Sequence, residues 1–294
     1  MTSCVQNLIE RKYILETIRT RMLRLATYLT AFVLLFSFGT LSVHAATPTV
    51  NVSVDGTPYG GGVLFREETT CVAIRSFSEA MSDCEITWDE ATKTATVRTD
   101  DLTVHATVGA HYIEANGRYF YTPLAIFIYN ETMYLPIRLI AKAFDATVGW
   151  DGATYSVAVE RGSGSVTPGS QFYASDEVYW LSRIIHAESA GQPLLGKIAV
   201  GNVVLNRMAH PSYPNTIYGV IFDRKYGTQF EPVLNGTVYR TPNAESVIAA
   251  KICLEGYTVS DEILFFYNPV IAQTNWIARN REFFAVIGDH WFYY

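Results

Sequence analysis

The 294-residue chain has four cysteines, and none stands in a C-x-x-C or Cys/His arrangement that would hold zinc. It has no G-x-S-x-G segment, so the nucleophile of a serine hydrolase has no place to sit. Basic residues are in deficit as well. There are 22 Lys plus Arg against 28 Asp plus Glu, a formal charge of −6, which excludes the basic surface that holds nucleic acid. So acidic a protein does not adsorb to an anionic surface by net charge, and any hold on one must come from local sites.

Long hydrophobic stretches are confined to one place. Residues 25–41 are uncharged and mostly apolar, they follow a segment carrying Arg11, Lys12, Arg19, Arg21 and Arg24, and Val43, His44, Ala45 and Ala46 come next. That order describes a secretory signal peptide over residues 1–45, cut after Ala45. A membrane anchor is the competing reading, because the run approaches spanning length. Ser, Thr and Gly interrupt it and small residues follow it, so export with cleavage is expected, leaving no stable membrane span and a secreted or cell-wall-associated product. Met22 would open a more ordinary signal than Met1 does. Once Cys4 has left with the signal, Cys71, Cys84 and Cys253 stay behind. Cys71 and Cys84, close together in sequence, are the expected bridge, and Cys253 is expected as a small buried hydrophobe.

Residues 47–161 contain a repeat. CVAIRSFSEAM leading to ITWDEATKTATVRT recurs as YLPIRLIAKAF leading to VGWDGATYSVAVE, with Arg75 matching Arg138 and Trp88 matching Trp150. Each copy reads as strand, short helix and hairpin, and two such units must pack together to bury an apolar face. The pieces VAIR, LPIR and the two W-D turns resemble the copper amine oxidase N-terminal-like, or stalk, domain. His105 and His111 are its only histidines and are read as surface residues, so no metal is expected. The resemblance implies a spacer or wall-contact role, with a purely structural one equally open. Trp88 and Trp150 are read as core or hairpin packing. Residues 162–170, GSGSVTPGS, read as a flexible linker that lets the two sides move independently.

Residues 171–294 read as mainly helical with a small sheet, which makes the whole chain α+β in two domains. A helix capped by Asp176 ends near Ser189, Pro193 opens a second helix containing Gly201 and Asn206, and Asn215 and Asn243 cap two more. The tail changes period: ILFFY, EFFAVI and HWFYY read as strands, the last two joined at Gly288 and Asp289. On the first helix Glu188 shares a face with Ile184 and Ile185, and apolar neighbours raise a carboxyl's pKa towards what a general acid needs. A solvated residue at a helix end is the plainer reading. A metal site of His186 and Glu188 fails on geometry, since residues two apart on a helix point apart. Asp223 and Glu231 are candidate second carboxylates. Loops around residues 225–232 and 267–269, together with Trp276, offer amides and aromatic rings suited to sugars.

The segments IIHAESAG around Glu188, GKIAVGNVVLNRM from Gly196, YPNTIYGVIF from Tyr213, TQFEPV from Thr228, LFFYNP from Leu264 and VIGDHWFY from Val286 resemble, in the same order, the catalytic domain of the SleB-type cell wall hydrolases. The resemblance implies a helical core like that of goose-type lysozymes and lytic transglycosylases. It implies peptidoglycan glycan strands as substrate, Glu188 as the catalytic acid, and Gln229, Phe230, Tyr267, Asn268 and Trp276 around the substrate. No metal or other cofactor is implied. With one acid the implied reaction is lytic and ends in an anhydromuramoyl ring. Ordinary hydrolysis by water and a non-catalytic wall-binding protein are the alternatives. Proteins of that family often carry a small peptidoglycan-binding domain where this chain has its repeat, which leaves spore cortex and vegetative wall both open as targets.

Overall fold

Alternating apolar side chains build the first domain from short strands. The computed structural model describes residues 50–225, 227–272 and 274–294; the signal peptide over residues 1–45, its cleavage after Ala45 and a start at Met22 lie outside them. The elements are β1 (Asn51–Val54), β2 (Thr57–Pro58), β3 (Val63–Arg66), β4 (Thr69–Ala73), α1 (Ile74–Met81), β5 (Glu85–Asp89), β6 (Thr94–Arg98), β7 (Thr103–Thr107), β8 (Tyr112–Ala115), β9 (Arg118–Tyr121), β10 (Phe127–Tyr129), β11 (Thr132–Pro136), α2 (Ile137–Ala143), β12 (Thr147–Asp151) and β13 (Ser156–Glu160). They form three sheets, ordered β12-β13-β1-β2, β10-β11-β4-β3 and β5-β6-β7-β8-β9. On β7 the period of two sends Val104 and Ala106 inward, where they join Val97, Phe77, Leu135, Ile140 and Phe144 in one core. Each W-D hairpin turns on its aspartate: Asp89 accepts the Ala91 N–H at 2.8 Å and Asp151 accepts that of Ala153 at 2.9 Å. Trp88 and Trp150 are exposed and pack on these hairpins, one donating to Glu90 at 2.7 Å, the other edge-on to Tyr155.

Two expectations for this domain are corrected. Cys71 and Cys84 are free thiols. On β4 alternation turns Cys71 with Ala73 into a small cluster with Leu124 and Tyr134, whereas Val72 faces the main core against which Cys84 packs, so nearness in sequence leaves the thiols on opposite faces. Burial pushes the Cys71 thiol up to about 12, so it is protonated at neutral pH. Cys253 is free and buried, as expected of a small hydrophobe. The second correction is the linker. Val166 is buried and its N–H donates to Ala143 at 3.1 Å. Asn116 donates to the Val166 carbonyl at 3.2 Å and accepts from the Gly169 N–H at 2.8 Å through its own carbonyl. A Cβ on Gly169 would lie 2.6 Å from the Gly117 oxygen, so glycine there serves a close approach rather than freedom. The histidines do not fit a copper site. His105 pairs with Thr96 and Glu114, His111 meets the Thr122 carbonyl, and no cluster of three or more His, Cys, Asp or Glu gathers among the described residues.

The second domain is helical: α3 (Gly169–Phe172), α4 (Ser175–Ser189), α5 (Leu194–Ala209), α6 (Ile217–Phe222), α7 (Glu231–Asn235) and α8 (Ala244–Leu254), followed by β14 (Phe265–Tyr267), α9 (Trp276–Asn280), β15 (Phe283–Ile287) and β16 (His290–Tyr293). The last three strands form a sheet ordered β14-β16-β15, and β15 turns into β16 at Gly288 and Asp289. Asn243 caps α8 through the Ser246 N–H at 2.8 Å. Two caps differ from expectation. Thr216, not Asn215, caps α6, and Asp176 lies in the first turn of α4, where it favours the helix through its charge instead of a cap bond. Helices α4, α5 and α8 pack on one another through Leu181, Ile184, Ile185, Val200, Ala249 and Cys253. Gly201 permits this: a Cβ there would lie 2.7 Å from the Cys253 sulfur and 2.9 Å from Ile185 Cδ1.

The two domains are joined through α8. Arg118 on β9 binds Glu255, just past α8, with two bonds of 2.7 Å, and the Tyr173 hydroxyl donates to the same carboxylate at 2.6 Å. Lys251 donates to the Gly117 carbonyl at 3.0 Å, and the rings of Tyr121 and Tyr257 lie 4.3 Å apart. Residues 49–294 are one compact unit.

Candidate active site

Glu188 sits one residue before the end of α4, half-buried above Ile184 and Ile185, which are wholly buried. Its carboxyl is pushed up to about 7. Burial is the main cause, the negative charge of Glu231 acts in the same direction, and Arg207 opposes both. Glu231 is exposed at the first position of α7, behind Phe230. The turn after Glu188 is latched from two sides. Gln192 accepts the Asp289 N–H at 2.8 Å and donates to the Asp289 carboxylate at 3.0 Å, while the buried Lys197 amine bonds the Gln192 carbonyl and Glu245. The short hairpin between β15 and β16 thus fixes the chain next to the acid.

Arg207, near the end of α5, escaped the sequence reading. It is 5% exposed, its Nε donates to the Leu264 carbonyl at 2.8 Å, and Nη1 has no hydrogen-bond partner. The rings of Tyr213, Phe230 and Phe265 lie 5.3, 5.2 and 5.6 Å from its guanidinium carbon. Burial lowers its pKa, opposed by Tyr213, Glu188 and Asp223, so one cation and two acids share this corner. The signal available in sequence was an arginine inside the otherwise apolar run IAVGNVVLNRM. Its neighbour Asn206 does not turn to water; it donates to the carbonyls of Ser260 and Ile263, each at 2.9 Å. Asn202, also unassigned by sequence, donates to the Tyr257 carbonyl at 3.0 Å and accepts the Val259 N–H at 2.9 Å. These three side chains of α5 hold the segment that leads into β14.

The other sequence-derived candidates spread around this corner. Phe230 is 3% exposed and covers Arg207, so its ring lies in the wall of the site, where core packing occupies it. Gln229 is half-buried and donates to the Gly227 carbonyl at 3.1 Å, shaping its own loop. Tyr267 is half-buried on β14 beside Trp291 and Tyr293. The Asn268 carboxamide accepts the Val270 N–H at 2.9 Å and forms the turn beyond β14. Trp276 is exposed at the start of α9 with Arg281 5.5 Å from its ring. Asp223 closes α6 and accepts the Lys225 N–H at 2.9 Å. His186 accepts from the Asn243 N–H at 3.4 Å, so it turns to α8.

Residues 191–293 match the family described as Cell Wall Hydrolase, and residues 51–159 match the one described as Copper amine oxidase N-terminal domain. The first match begins just past Glu188. Among curated relatives, a spore cortex-lytic enzyme of Bacillus cereus is 34% identical over 120 residues, 41% of this chain and 45% of that protein. One of Bacillus subtilis is 32% identical over 120 residues, 41% of this chain and 38% of that protein. The chain thus spans less than half the length of these relatives. Among solved structures, the catalytic domain of the germination-specific lytic transglycosylase SleB from Bacillus anthracis is 33% identical, with 44% of this chain and all of that one covered and a TM-score of 0.38.

Proposed function

We propose that this chain, a cell wall hydrolase domain behind a copper amine oxidase N-terminal domain, cleaves the glycan strands of peptidoglycan between N-acetylmuramic acid and N-acetylglucosamine, with Glu188 as its acid. The observation that carries this reading is a half-buried glutamate whose carboxyl is held near 7 by burial, in a domain of that family. Such a group stays largely protonated up to just below neutral pH and can give its proton to the glycosidic oxygen as the bond to the leaving sugar breaks. The carboxylate left behind then removes the proton from the muramic sugar's own 6-hydroxyl. That oxygen attacks C1 and closes a 1,6-anhydro ring. Arg207, buried beside the acid, offsets the carboxylate charge between the two proton transfers. Tyr267 and Trp276 offer ring faces to sugar, and Gln229 and Asn268 offer amides to its N-acetyl and hydroxyl groups. The relatives' names point to spore cortex as the target, and an exported product at the wall or cortex is the location this reading requires.

A second reading has its own observation. The Glu231 charge bears on Glu188, and two facing carboxylates are the usual equipment for hydrolysis by water. Mass spectrometry of muropeptides released from purified cortex and from vegetative sacculi separates the readings: anhydro ends are expected, and reducing ends alone would replace the lytic reaction with hydrolysis. The pH profile gives an independent check. With Glu188 held near 7, kcat/KM should fall about tenfold per pH unit above that value. Glu231→Gln removes a charge that pushes Glu188 up, so the alkaline limb should move to lower pH while the rate at pH 6 changes little. An unmoved limb would take Glu231 out of the site.

A further inference from the structure

The C-terminal sheet carries aromatic rings on both faces. On one face Phe266, His290 and Phe292 pack inward; Phe292 is wholly buried and its ring lies 5.8 Å from that of Phe266. Strand register puts Phe265 opposite Tyr293, Tyr267 opposite Trp291, and Phe283 and Val286 opposite Tyr293 and Trp291, so these six side chains share the other face. An antiparallel sheet with one solvated face normally carries polar side chains there. Here five of six are aromatic. Trp291 is 38% exposed, Phe283 48% and Val286 52%, and Tyr293 is buried among Tyr267 and Phe283 at ring distances of 5.8 and 5.5 Å. Trp291 stands at steep angles to both neighbours, 64° to Tyr267 and 69° to Phe283, so the rings form a ribbed surface on which the indole and the phenyl ring stay partly exposed.

This surface is continuous with the candidate active site. Phe265, at one corner of the aromatic face, lies 5.6 Å from the guanidinium of Arg207, whose charge acts on Glu188. The carbonyl of Leu264, the residue just before β14, accepts the Arg207 Nε. The exposed Arg281 stands 4.4 Å from the same Phe265 ring and so extends the contact outward. The aromatic face is therefore held at a fixed place relative to the acid. An acidic chain has no bulk charge to draw it to an anionic wall, and ring faces bind the C–H faces of sugars without charge.

We propose that the aromatic face of this sheet, centred on Trp291 and Phe283, is a platform for the glycan strand beyond the bond being cleaved, stacking on sugar rings outside the catalytic corner. It rests on the glycan-cleaving reading, and the test keeps the two apart. Insoluble sacculi are sedimented with the Glu188→Gln protein and with the same protein also carrying Trp291→Ala and Phe283→Ala. Both side chains are partly exposed, but Phe283 covers the buried Tyr293, so thermal melts check that the double variant is folded. Bound protein should fall about tenfold on removal of the two rings. Trp291→Phe, which keeps a ring, should restore most of it. In the active background the double variant should raise KM on long strands and leave kcat, and turnover of short muropeptides, unchanged. Undiminished binding by a folded double variant overturns the proposal. So does a dimer in sedimentation velocity that the same substitutions dissociate, because a second copy would then cover the face. If the wild type cleaves no peptidoglycan while ring-dependent binding persists, the platform stands and the catalytic reading falls.

Discussion

Glu188→Gln should leave a folded protein that no longer cleaves peptidoglycan. The two side chains are nearly isosteric, and Glu188 has no structural hydrogen bond that the amide would break among the bonds described around α4. Loss of a general acid costs on the order of a hundredfold to ten-thousandfold in rate, and here the same group is asked to serve as base as well, which puts the expectation at the upper end. Stability should move the other way. The folded carboxyl titrates near 7 against an ordinary value of 4.5. A group raised in this way contributes stability that is fully present below about pH 4.5 and is lost as pH rises through about 7. The amide has no such loss, so Glu188→Gln should melt at or above the wild-type temperature at pH 8. Assay of released muropeptides alongside a thermal melt checks both halves. Glu231→Gln is the control: a small rate loss supports one acid, whereas equal inactivity in a folded, substrate-binding protein would install a two-carboxylate hydrolase instead.

What could be read before the fold was known followed local rules. Helical spacing sets Glu188 over Ile184 and Ile185, while its reading as a catalytic acid comes from the resemblance; the terminal strands are legible because their period changes to two around Gly288 and Asp289. What escaped depends on partners distant in sequence. The Gly- and Ser-rich residues 162–170 advertise backbone freedom, yet Asn116 removes it by binding Val166 and Gly169. Cys71 and Cys84 are near in sequence, and only the register of β4 reveals that they face different clusters. Arg207 sits in GKIAVGNVVLNRM, where no local pattern marks it. Its role emerges when Leu264, Phe230 and Glu188 are brought around one guanidinium from separate segments. The aromatic strands are legible as strands, but not that both faces would carry rings, since that needs their pairing.

Arg118→Ala should destabilise both domains together. The Glu255 side chain is 3% exposed, lies just past the C-terminal end of α8 where the helix dipole disfavours an anion, and is compensated by the bidentate Arg118, the Tyr173 hydroxyl and, at 3.9 Å, Lys142. Removing the guanidinium leaves a buried carboxylate with too few donors, a change that typically costs about 3–5 kcal/mol. Against a total stability of roughly 5–15 kcal/mol for a protein domain, that is a large share. Replacing Arg118 and Glu255 together by Met removes the charges as well as their desolvation, so the double variant should recover much of the loss. The consequence for the protein is mechanical. With Arg118 on Glu255, Tyr121 against Tyr257 and Lys251 of α8 on the Gly117 carbonyl, the first domain packs on the C-terminal end of α8 and so braces the helix that packs behind Glu188. Urea unfolding followed by tryptophan fluorescence should show one transition in the wild type, moved to lower urea in Arg118→Ala. Two separate transitions in the wild type, with only one of them sensitive to Arg118, would restore the independent spacer.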